Sequence, residues 1–140
     1  MKIRGLIVIV LAVALSFAPQ FINTSSAANG YSAQLISPTA GQVVYPGQEV
    51  QIQWQATIPK VNAGGCEMEI FLSLDGGMNF TYCITPQLPP TARFFNWTVP
   101  NMPTNQAVLD IRFGCEWYYP EHYAPQPAST FVIASGAPGQ

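Results

Sequence analysis

The chain has 140 residues, 49% of them hydrophobic and only 9% charged, with five Lys and Arg against seven Asp and Glu. So few cations, scattered rather than clustered, leave no basic stripe for a phosphate backbone, and nucleic acid is excluded as a partner. Thirteen prolines and eleven glycines interrupt every window in which apolar residues could recur at helical spacing, which excludes a helical fold.

The first residues read as an export leader. Lys2 and Arg4 precede an apolar run over 6–18, and a polar stretch then ends in Ser26-Ala27-Ala28. That layout predicts a secretory signal peptide over 1–28, cleaved after Ala28. The apolar run is about a dozen residues, short of the roughly 20 that a membrane span needs. No membrane span is expected after cleavage, and the product belongs outside the cell or in its envelope. The mature chain keeps Lys60, Arg93 and Arg112 as its cations. One domain is expected over 29–134, followed by a flexible tail over 135–140.

Strands follow one another along the mature chain. An opening strand is predicted over 34–37. Tyr45-Pro46-Gly47 makes a turn, because proline fixes φ and glycine accepts positive φ. The stretch 49–55 then alternates, with Val50, Ile52 and Trp54 on one face and Gln51, Gln53 and Gln55 on the other. A second alternating run, 67–74, turns Met68, Ile70, Leu72 and Leu74 inward and Glu67, Glu69 and Phe71 outward. Asp75-Gly76-Gly77 comes next, and Asp-Gly between two alternating runs predicts a tight hairpin turn. A calcium loop needs about six to eight oxygen donors, and Asp75 has no second carboxylate near it in sequence. These three residues are therefore a structural turn, with no metal.

Further strands are predicted over 80–84, over 94–99 before Pro100, and over 107–115. The last of these puts Leu109, Ile111, Phe113 and Cys115 on one face and Asp110 and Arg112 on the other. A closing strand over 130–133 completes the set. Seven short strands in this length predict an all-β, seven-stranded antiparallel immunoglobulin-like sandwich.

The series Ser73-x-Asp75-x-Gly77-x-x-Phe80 resembles the Asp-box, a non-catalytic hairpin signature of many extracellular proteins. A longer series includes Ser37-Pro38, Gly41, Tyr45-Pro46-Gly47, Val50-x-Ile52-x-Trp54, Ile70-x-Leu72, Trp97-x-Val99-Pro100, Ile111-Arg112 and Phe131-x-Ile133. It is similar to the immunoglobulin-like domain of the Ser-Thr-rich, GPI-anchored and yeast cell-wall glucan-synthesis family, found also in secreted bacterial proteins. The resemblance covers nearly all of the mature chain and implies a fold rather than an activity. A Ser/Thr-rich stalk and a C-terminal anchor signal are both missing, so a fungal wall-assembly role is not carried over.

Cys66, Cys83 and Cys115 allow three pairings, each leaving one thiol. In the immunoglobulin-like topology the strand starting at Cys66 lies antiparallel beside the strand ending at Cys115, and both cysteines share the inward face of their strands. Cys66–Cys115 is the favoured disulfide, with a bond through Cys83 and a fully reduced chain as alternatives. The same register sets Glu69 near Arg112 on the outer face. Spacing of the Cys-x-x-Cys type does not occur, so neither a metal nor another cofactor is expected.

The stretch 117–127 (WYYPEHYAPQP) is more than a β-fold requires. Trp117, Tyr118, Tyr119 and Tyr123 are flat rings with polar tips, suited to a glycan or protein partner at the cell surface. The alternative is that they fold back and cap an open end of the core. Catalysis has weak support. Sugar hydrolysis commonly needs two opposed carboxylates, and position leaves only Glu116 and Glu121, beside His122, as a pair to consider. The expected function is a secreted, non-catalytic module for adhesion, scaffolding or assembly. Carbohydrate binding through the aromatic loop and self-assembly into a homo-oligomer are the alternatives.

Overall fold

A computed structural model describes residues 30–61, 64–117 and 119–136. The expected leader, Asn29, and residues 137–140 of the expected tail lie outside the described residues. Nine strands occur among the described residues: β1 (Ser32–Ser37), β2 (Val43–Val44), β3 (Glu49–Thr57), β4 (Cys66–Ser73), β5 (Tyr82–Cys83), β6 (Phe94–Thr98), β7 (Thr104–Cys115), β8 (Tyr119–His122) and β9 (Phe131–Ile133). The chain is all-β, in two sheets. One has the order β1-β3-β6, and the other runs β2-β9-β7-β4-β5 with β8 also paired to β7.

A strand lies in each of the seven expected ranges, with 80–84 reduced to Tyr82–Cys83, and β2 and β8 are additions, so the set is neither seven-stranded nor wholly antiparallel. β2 is two residues long and pairs in parallel with β9, too short for any alternation to register. β8 contains Pro120, which reads as loop because proline cannot donate to a ladder. It lies against the end of β7 because Gly114 leaves room for it. A Cβ at Gly114 would stand 3.1 Å from the Glu121 Cα, and the ladder shifts register at that point.

Alternation makes the core. Val50, Ile52 and Trp54 of β3 are buried, as are Met68, Ile70 and Leu72 of β4 and Leu109, Ile111 and Phe113 of β7. They belong to one cluster between the sheets, and burying each such side chain contributes about 1.5–3 kcal/mol. Tyr31 ties the layers together. Its hydroxyl donates to the Ile111 carbonyl at 2.9 Å and its ring stacks on Phe113 at 5.4 Å. Burial pushes that hydroxyl far above its ordinary pKa.

Cys66 stands opposite Cys115 in the β4–β7 ladder, and the two form a disulfide. Glu69 stands opposite Arg112 in the same register. Cys83, opposite Phe71 in β5, is free and exposed. The outer face of β7 is not open to solvent along its length. Asp110 is on that face but only 1% exposed, and the chain after β8 runs back antiparallel beside β7, where its Ala124 N–H reaches the carboxylate. Ala124 and Ile111 exchange backbone hydrogen bonds, Pro125 bridges to Asp110, and the Gln126 N–H donates to the Leu109 carbonyl.

Candidate functional site

The Asp75 turn is a closed structural unit. The Ser73 hydroxyl donates to Asp75 Oδ1 at 2.6 Å, the Asn79 N–H donates to the same oxygen at 2.9 Å, and Asn79 Nδ2 donates to Oδ2 at 2.7 Å. Gly76 and Gly77 both have positive φ, 76° and 90°, a conformation that glycine adopts without strain. The Gly77 N–H donates to Ser73 Oγ at 2.9 Å. Hydrogen bonds from Ser73 and Asn79 hold the Asp75 carboxyl down to about 2. Since its folded pKa lies below the unfolded value, its contribution to stability is complete above about pH 4 and is lost as pH falls toward 2. Replacing Asp75 by Asn should therefore flatten the acid limb of the stability curve between those values. Chemical unfolding followed from pH 5 to pH 2 reads this out.

Asp110, opposite Phe71 in the β4–β7 ladder, organises the outer face of β7. Its Oδ2 accepts from Arg112 Nε at 2.7 Å, and its Oδ1 accepts from the Ala124 N–H at 2.8 Å. Burial pushes the Asp110 carboxyl up, while the Arg112 guanidinium and the Ala124 N–H pull against that shift. The guanidinium lies 3.7 Å from the Phe71 ring centroid and 4.7 Å from that of Tyr123. Both are favourable stacking distances for a cation on an aromatic face. Arg112 also reaches Glu121 at 3.7 Å. Phe71, expected outward, is half-buried beneath this arginine.

The aromatic residues divide between roles. Tyr119 packs on Phe113 at 5.5 Å and stacks on His122 at 4.4 Å, on the core side of the sheet. Tyr123, 58% exposed, lies over Arg112 on the outer side. Tyr118 lies outside the described residues. Trp117 is 94% exposed in the β7–β8 turn, with φ 76°. Tyr119 and Tyr123 thus do not share one flat platform. Folding back onto the sheet accounts for Tyr119, and Trp117 remains free at the tip.

Beside that tip runs an open groove of about 620 Å³. Glu67, Glu69, Arg112, Glu116, Tyr119 and Glu121 contribute to its walls. Burial, and then the neighbouring Glu69, Glu116 and Glu121 carboxylates, push the Glu67 carboxyl up. The four acids make one acidic strip, a clustering that sequence separation concealed. No group of three or more His, Cys, Asp or Glu among the described residues has a metal-holding arrangement.

No family model matches this chain, and no curated protein matches it. What the site can do is read from its own residues. His122 Nδ1 lies 2.6 Å from the Pro120 carbonyl and its ring is stacked on Tyr119, so the one histidine is engaged within its own hairpin. Asp75, Asp110 and Arg112 hold the fold. Of the candidate aromatic residues described, Trp117 and Tyr123 are exposed.

Proposed function

We propose that the chain is an exported, non-catalytic immunoglobulin-like module that acts by surface contact, in adhesion, scaffolding or assembly at the cell surface. The strand order supports the immunoglobulin-like reading. β1-β3-β6 faces β2-β9-β7-β4-β5, and the opening segment divides between the sheets, β1 joining β3 and β2 joining β9. The Cys66–Cys115 disulfide is compatible with an oxidising, extracellular compartment.

One observation carries the non-catalytic reading: the charged residues with defined partners work for the fold. Asp110 and Arg112 hold the 124–126 segment on β7, and Asp75 closes its own turn. Purified mature protein is expected to turn over no wall polysaccharide or peptide. Turnover that Glu116→Gln or Glu121→Gln abolishes would overturn the reading.

Carbohydrate binding is the second reading, favoured by Trp117 at 94% exposure beside the groove. An indole face that makes no packing contact is suited to stack on a sugar ring. On a glycan array, Trp117→Ala should lose binding at least about tenfold, a change of 1.4 kcal/mol. Its melting temperature should not change, since the ring leaves no cavity. Binding unaltered by Trp117→Ala would remove this reading.

A further inference from the structure

We propose that β6 is a self-pairing edge, which joins two copies of this chain antiparallel so that their three-stranded sheets become continuous. The inference rests on the surface-contact reading and names the partner as a second copy. Hydrogen-bond register identifies the free groups. The Trp54 N–H donates to the Arg93 carbonyl at 3.1 Å and the Val99 N–H to the Gln48 carbonyl at 2.9 Å. Glu49, Gln51 and Gln53 stand opposite Thr98, Asn96 and Phe94. The odd-numbered residues of β6 therefore turn their main-chain groups toward β3, and Phe94, Asn96 and Thr98 turn theirs outward. None of those outward N–H and C=O groups has a partner among the described residues.

The remaining edges are short or blocked. The Gln126 side chain closes β1, accepting from the Leu35 N–H at 2.9 Å and donating to the Ala33 carbonyl at 3.1 Å. β8 carries Pro120 and Glu121, and β2 and β5 are two residues each. Proline, charge and brevity are the usual means of keeping edges apart. β6 has five residues, FFNWT, and neither proline nor charge among them.

The strip is complementary to itself. A twofold axis at Asn96 sets Phe94 opposite Thr98 of the second copy and Asn96 opposite its own counterpart. Each outward N–H then meets a C=O, and no like charges meet. The outer face adds direction. Gln53 Nε2 donates to Gln51 Oε1, and Gln51 Nε2 donates to Asn96 Oδ1 at 3.2 Å. This row of amides stops at the edge with Asn96 Nδ2 still to donate, and the second copy offers Asn96 Oδ1 to continue it. Amide rows of this kind stabilise stacked strands. Phe94, 60% exposed at the same edge, gains cover from the neighbouring copy.

Sedimentation velocity on the mature chain carrying Cys83→Ser, which removes any thiol-linked dimer, tests the proposal. A concentration-dependent dimer is expected. Asn96→Lys sets two ammonium groups against each other and should raise its dissociation constant at least about tenfold, and Thr98→Lys should act in the same direction. Circular dichroism of both variants should match the parent, because both side chains are exposed. Amide exchange at Phe94, Asn96 and Thr98 should slow as protein concentration rises, while exchange in β8 stays constant. A monomer at every concentration would overturn the proposal, as would a dimer indifferent to both lysines. Either result leaves the surface-contact reading standing. Catalytic turnover would remove that reading and leave the dimer untouched.

Discussion

Replacing Cys66 and Cys115 together by serine is expected to lower the stability of the mature domain by about 4 kcal/mol. The bond joins residues 49 apart in sequence, and the chain-entropy model gives that figure for a loop of this size. The cysteines stand opposite each other at the end of the longest ladder, where β4 and β7 pair from Cys66–Cys115 to Ser73–Val108. Without the bond, that end is held by backbone pairing and by β8, whose own ladder is shifted at Gly114. Losing about 4 kcal/mol from a total that is ordinarily about 5–15 kcal/mol leaves the fold marginal. Urea unfolding of the double variant against the parent measures the difference. Cys83 is exposed and outside the disulfide, and a serine there can still donate to the Thr85 carbonyl, so Cys83→Ser should change stability by less than about 0.5 kcal/mol.

Replacing Asp110 by alanine should cost about 3 kcal/mol. Arg112 would remain between Phe71 and Tyr123 with its close carboxylate gone, and removing one partner of a buried pair costs about 3–5 kcal/mol. We take the lower end because the Arg112 side chain keeps 14% exposure and retains Glu121 at 3.7 Å. The Ala124 N–H keeps its bond to the Ile111 carbonyl, which limits the loss further. A second variant separates charge isolation from lost packing. Asp110→Leu with Arg112→Met removes both charges and leaves apolar bulk under Tyr123. It should recover most of the stability, since an apolar replacement of a buried pair is often neutral. Equal losses in the single and double variants would show that packing, not the unpaired arginine, sets the cost.

The sheets were legible because period two leaves a mark on sequence. Val50-x-Ile52-x-Trp54 and Leu109-x-Ile111-x-Phe113 define faces without any knowledge of their neighbours, whereas favouring Cys66–Cys115 over a bond through Cys83 took the strand adjacency of the immunoglobulin-like topology, with which parity agrees. The turn at Asp75 was legible for a similar reason: its partners, Ser73 and Asn79, lie within four residues of it. The covering of Asp110 was not. It depends on residues 124–126 pairing back along β7, a contact that no local pattern encodes. One signal was available: Val108 and Asp110 share the outer face, and both are buried. An apolar residue at an outer position of a strand indicates a face that is covered. The Asp75 turn covers Val108, for a Cβ at Gly77 would stand 3.7 Å from its Cγ1. The acidic groove was hidden for the same reason, because Glu67 and Glu69 meet Glu116 and Glu121 only after β4, β7 and β8 are in register.

The central claim is that residues 119–126 belong to the sheet, while Trp117 stands exposed at the tip. Hydrogen exchange at the Ala124 amide tests it most directly, since that N–H is shared between Asp110 Oδ1 at 2.8 Å and the Ile111 carbonyl at 3.1 Å. Protection comparable to that of Phe71 and Asp110, which stand opposite each other in the β4–β7 ladder and turn their main-chain groups toward one another, is the expected result, with the Trp117 amide exchanging freely. Exchange at Ala124 as fast as at Trp117 would contradict the account, for the whole aromatic stretch would then be an open loop.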